Sequence, residues 1–130
     1  MRIAYLAALL GLLTVSVDAH AASPAPSKLP NAEQARAAIA VWYDDPELAE
    51  QAKVMLGTCV PALRAEHAGQ MACTWKMRYN AVIAESQADF HWNGTTWVAQ
   101  HSESQELLPM PDPRLDPGPS LDPGPNRSDR

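Results

Sequence analysis

Cys59 and Cys73, the histidines His67, His91 and His101, and a few carboxylates are the residues past the N-terminal apolar run whose types could carry chemistry. Two cysteines allow a single pairing. They form no Cys-x-x-Cys pair and have no supporting constellation, so they read as a structural disulfide rather than as redox or nucleophilic thiols. A zinc site needs three or four ligands converging at about 2 Å, and no close pair such as H-E-x-x-H is present. Glu85, Asp89 and His91 fall on one strand face, where they are open to metal or acid–base work, although such a set is more often a solvated sheet face. There is no G-x-S-x-G elbow for a serine nucleophile. The six glycines are too dispersed to cradle a phosphate. The chain thus offers no catalytic residue, cofactor site or metal site, and it reads as non-enzymatic.

Charge and composition narrow the partners. The formal net charge is −5 over 130 residues. Nucleic-acid binding requires a basic face that neutralises phosphates. Here the basic residues from Lys28 to Arg78 are scattered, which also argues against an anionic membrane surface. Ile3 to Val17 is an apolar run behind Arg2, shorter than the roughly 20 residues of a bilayer span, and it ends at the small-x-small triplet Ala19-His20-Ala21. Residues 1–22 therefore read as a cleaved secretory signal. The mature chain is expected to be exported, periplasmic or extracellular, with no stable membrane insertion, and an even cysteine count suits an oxidising compartment.

Several elements must position these residues. Residues 23–30 have linker composition. Asn31 with Gln34 makes a capping box, and Ala35, Ala38, Ile39 and Trp42 recur at helical spacing on one face, with Glu33, Ala37, Ala40 and Asp44 roughly opposite. Asp45-Pro46-Glu47 interrupts that helix and starts a second one. The second is expected to run to about Leu56, with Leu48, Ala52, Met55 and Leu56 inward and Gly57 as its stop. The period then changes to two.

A short edge strand over 59–64, containing Pro61, would place Cys59 opposite Cys73, with the turn at His67-Ala68-Gly69. In the next strand Met71, Cys73, Trp75, Met77 and Tyr79 share one face and Ala72, Thr74, Lys76 and Arg78 the other. Residues 80–86 are ambiguous, and alternation resumes with Ala88, Phe90 and Trp92 on the inner face. Asn93-Gly94 suits a two-residue hairpin turn. That turn sets Trp92 opposite Thr95, Phe90 opposite Trp97 and Ala88 opposite Ala99. The folded domain is expected to cover 31–101.

Seven of the twelve prolines lie between Pro109 and Pro125, where Leu-Asp-Pro-Gly-Pro occurs twice. Such a stretch buries too little apolar surface to offset its ordering entropy, so 102–130 reads as a disordered tail.

The fold class is α+β: one or two N-terminal helices packed on a four-stranded antiparallel meander, with one disulfide. In element order this resembles the cystatin-like and NTF2-like rolls. The likeness implies a sheet wrapped on a helix and carries no functional residue across. The Q-x-V-x-G loop of cystatin-like inhibitors is absent.

Trp42, Trp75, Trp92 and Trp97 all fall on predicted inner faces, with Trp92 the most exposed of them. The surface left for binding comprises His67, Lys76, Arg78, Asp89, His91 and Trp92. The expectation is a small exported protein that binds another protein, as an inhibitor, immunity or envelope accessory factor. The alternative is a small-ligand carrier or minor hydrolase using a cleft in the roll.

Overall fold

The first helix, α1, spans Ala32–Trp42 and begins where Asn31 and Gln34 close a reciprocal capping box, the side chain of each accepting the backbone N–H of the other. Its Ala35, Ala38 and Ile39 are buried, as their spacing requires. Ala40 is buried too, against expectation. The chain reverses through Asp44 at φ 53° and folds α2, Pro46–Gln51, back onto α1. Asp45 caps α2 by accepting from the N–H groups of Glu47 and Leu48, each at 3.1 Å. The structure, a computed structural model, describes residues 25–116. The expected signal over 1–22 and the end of the tail therefore lie outside the described residues.

Four strands follow in the order β1-β2-β3-β4, all antiparallel: β1 Lys53–Pro61, β2 Met71–Tyr79, β3 Val82–Trp92 and β4 Trp97–Gln100. The α+β class, with two helices on a four-stranded meander, is thus the observed architecture. Cys59 lies opposite Cys73, and the two are joined by a disulfide.

The second helix is shorter than its pattern suggested, because residues from Lys53 onward join the sheet. Met55 accordingly points outward, and Val54 and Leu56 point inward. Gly57 is not a helix stop. It sits mid-strand at an irregularity between Leu56 and Cys59, where a Cβ would come within 2.6 Å of Asp112 Oδ2 and 2.8 Å of Leu115 Cγ. β3 likewise starts earlier than residue 87. It pairs with β2 from Tyr79↔Val82, across a two-residue turn that Asn80 enters at φ 54°.

The β3–β4 register differs by two residues from the one expected: Trp92 faces Trp97 and Phe90 faces Ala99. Asn93 causes the difference. Its side chain accepts from the N–H groups of Thr95 and Thr96, and its own N–H donates to Thr96 O. The connection is therefore a four-residue loop closed by an asparagine side chain. Since side chains alternate with period two, a two-residue shift leaves every residue on its expected face.

The core lies between α1 and one sheet face, with Ile39, Trp75, Phe90, Trp97, Ala88 and Ala99 at its centre. The other face is covered by residues 102–116, which the composition had placed in a disordered tail. A short 3-10 turn, Gln105–Leu107, starts this strap, and Ser102, Ser104, Leu108, Asp112 and Leu115 are all buried. The packed unit thus extends past His101 to Asp116. Individual side chains find seats on the sheet there, so low overall hydrophobicity did not prevent ordering.

Candidate functional site

The strap is fastened by polar contacts. Asp112 Oδ2 accepts from Thr58 N at 2.7 Å and from the Thr74 hydroxyl, and Asp112 Oδ1 accepts from Arg114 N at 2.9 Å. Glu85 accepts from Asp112 N at 2.6 Å, Lys76 Nζ donates to Leu115 O at 3.3 Å, and Ser104 Oγ accepts from Leu63 N at 2.9 Å. Burial raises the Asp112 carboxyl, but the hydrogen bonds from Thr74, Arg114 and Thr58 outweigh it and hold the group down at about 2.

The six residues expected to form one binding surface are distributed over three places. At one end of the strap-covered face, Lys76 and Arg78 sit with Lys53, Met55 and Ile83 around a shallow depression of about 310 Å³. At the other end are His67, Asp89 and His91. The wet sheet face predicted for Asp89 and His91 is instead closed by the loop 62–70, so that Asp89 is 2% and His91 6% exposed. His67, exposed itself, stacks on His91 with ring centroids 3.7 Å apart and planes 9° from parallel. Burial pushes the His91 imidazole below its ordinary range, and the adjacent His67 pushes it the same way.

Trp92 is on the opposite, helix-facing side, half-buried and edge-on to Trp97 at 5.8 Å. Nor do Glu85, Asp89 and His91 converge: Glu85 holds the strap and Asp89 is bound by Gln70. Among the described residues no group of three or more His, Cys, Asp or Glu side chains could hold a metal ion.

Two concavities remain at the end of the sheet beneath loop 62–70. The larger, about 730 Å³, is apolar. Met71, Pro61, Trp92 and Trp97 line it together with Ala62, Ala65 and Ala68, and Lys28 also borders it. The Trp97 indole N–H, buried beside this cleft, has no hydrogen-bond partner among the described residues. The second, about 420 Å³, is polar, with Asp89, Gln70 and Gln100 at its base and Arg64, Glu66 and Glu103 around it.

Gln70 organises the second pocket. Its Oε1 accepts from the N–H groups of Glu66 and His67, and its Nε2 donates to Asp89 Oδ2 at 2.7 Å. Sequence reasoning missed Gln70, Arg64, Gln100 and Glu103. A signal existed in the Gly69-Gln70 step between loop and strand, where Gly69 takes φ 71° and directs a polar residue inward.

No helix among the described residues is long and apolar enough to cross a membrane. No protein-family model, no curated protein and no solved structure matches this chain.

Proposed function

We propose that this is an exported protein that works by binding another protein, as an inhibitor, immunity or envelope accessory factor would, and that the apolar cleft beneath loop 62–70 is its contact. The observation that carries the reading is the lining of that cleft: Trp92, Met71 and Pro61 together with the small Ala62, Ala65 and Ala68 around about 730 Å³. Tryptophan is enriched where interface energy concentrates, and small residues leave room for an inserted apolar side chain. No catalytic role is assigned to any residue.

The test is capture from envelope extracts with the wild-type protein and with Trp92→Ala, followed by affinity measurement on the purified pair. Trp92→Ala is expected to weaken binding by about thirtyfold, the scale of an interface hot spot, while the thermal melt shows the domain still folded. Equal capture by both proteins, or unaided turnover of a substrate by the pure protein, would sink the reading.

One observation favours a second reading, a small-ligand carrier. The Trp97 N–H without a partner beside the cleft suits an apolar ligand bearing a hydrogen-bond acceptor. Saturable change of tryptophan fluorescence on titration with decanoate would favour it over a protein partner.

A further inference from the structure

We propose that the polar pocket over Asp89 is a binding site for an organic cation with N–H donors, a primary ammonium or a guanidinium group. Asp89 projects from β3 to the strap side of the sheet, is 2% exposed, and lines a pocket of about 420 Å³, a size within the range of small-molecule sites. One oxygen, Oδ2, accepts from Gln70 Nε2 at 2.7 Å. The other, Oδ1, is buried and has no hydrogen-bond partner among the described residues.

A buried carboxylate is costly unless both its charge and its lone pairs are met, and an ionised carboxylate can only accept. What Oδ1 lacks is a donor. The rest of the lining is mixed in sign: Glu66 and Glu103 add two carboxylates, and His101 and Arg64 border the same pocket. The exposed Arg64 guanidinium pairs with Glu103 at 3.6 Å, so it is the buried Asp89 carboxylate that favours a cation.

The base is also held in place before any ligand arrives. Gln70 is 4% exposed, and it is fixed by the backbone N–H groups of Glu66 and His67 as well as by Asp89. Gln100, directly across the strand pair from Asp89, offers a side-chain amide beside the carboxylate. A bound cation would therefore donate to Oδ1, with Glu66 and Glu103 screening its charge at the mouth. This site is on the opposite face of the sheet from Trp92, although Gln70 borders both it and the apolar cleft.

The experiment is a titration of the purified protein with n-butylammonium and n-butylguanidinium chloride, followed by amide NMR shifts. Tetramethylammonium chloride, which has the charge but no N–H, is the control. The N–H cations are expected to shift Asp89, Gln100 and the Gln70 side-chain amide saturably. Tetramethylammonium should bind about tenfold more weakly or worse, the scale of a hydrogen bond to a charged group.

Asp89→Asn should weaken the N–H cations by about tenfold or more for the same reason. If that variant does not fold, the double variant Glu66→Gln, Glu103→Gln carries the test. Both side chains are exposed, and each removed charge should cost about twofold in affinity. Absence of saturable shifts at these residues would overturn the proposal. So would tetramethylammonium binding as tightly as the N–H cations, or unchanged affinity in a folded variant.

Discussion

Under α1 the sheet buries Trp75, Phe90 and Trp97 among alanines, whereas on its other face, under the strap and loop 62–70, it buries Thr74, Asp89 and His91. The helix-side contact is apolar surface against apolar surface, a driving force that scales with area and has no direction. The strap side is closed by hydrogen bonds that Asp112, Glu85 and Ser104 accept and one that Gln70 donates. Each of those depends on one partner being in one place. A two-residue register shift leaves the first face intact, while the loss of a single partner orphans a buried group on the second. A buried Asp89 oxygen on the strap side and the buried Trp75 and Trp97 N–H groups on the helix side have no hydrogen-bond partner among the described residues.

The helix side is tested at one position of β2. Trp75 is 1% exposed at the centre of the helix-side core, with the Tyr43 ring edge-on at 6.4 Å. Trp75→Ala removes the largest fully buried side chain and is expected to cost about 3–5 kcal/mol. Denaturant unfolding measures it. A loss below about 1 kcal/mol, within the scatter of ordinary substitutions, would mean that the helix side is not the main store of stability.

The elements legible in the sequence were those whose signals are local. The Asn31–Gln34 capping box, the Asp45-Pro46 helix start and the Met71–Tyr79 alternation each need only a few neighbouring residues, and all are present as read. The Cys59↔Cys73 pairing was legible because two cysteines flanking a glycine-containing turn define their own register. What was not legible depends on distant contacts. Gly57 looks like a helix stop until Asp112 and Leu115 are brought against it. Prolines from Pro109 onward suggest disorder, and the segment is ordered by isolated residues, Leu108, Asp112 and Leu115, each seated separately. The candidate cation site was half visible. Asp89 was singled out, but its burial and its tie to Gln70 are made by a loop whose path the alternation pattern does not encode.

The disulfide sharpens the comparison at an intermediate magnitude. Cys59 and Cys73 join β1 to β2 and pack with the helix-side core. Reduction leaves two thiols that still behave as small apolar groups, so that core is kept and what is lost is the constraint on the unfolded chain. For a sequence separation of 14 the loss is about 3 kcal/mol. A clear fall in melting temperature after confirmed reduction is expected, and an unchanged melt would count against the staple.

The smallest effect is the most specific to the strap. Asp112→Asn keeps the volume of the side chain but replaces an acceptor-only group by one with an NH2 donor. At most one oxygen can then serve the Thr58 and Arg114 N–H groups that now bond to separate oxygens. The expected loss is about 1–3 kcal/mol, the cost of leaving a buried donor unmet. Acid separates this cause from a general loosening. The Asp112 carboxyl is held at about 2 in the fold against its ordinary 3.8, so between those values the unfolded chain binds more protons than the folded one. Stability contributed by Asp112 is therefore complete above pH 3.8 and falls away as pH drops toward 2. In Asp112→Asn that part of the acid dependence is expected to be absent. Parallel acid-unfolding curves for the two proteins below pH 3.8 would show that the strap is not fastened through the Asp112 carboxylate, and the contrast between the two faces would then rest on Gln70, Glu85 and Ser104.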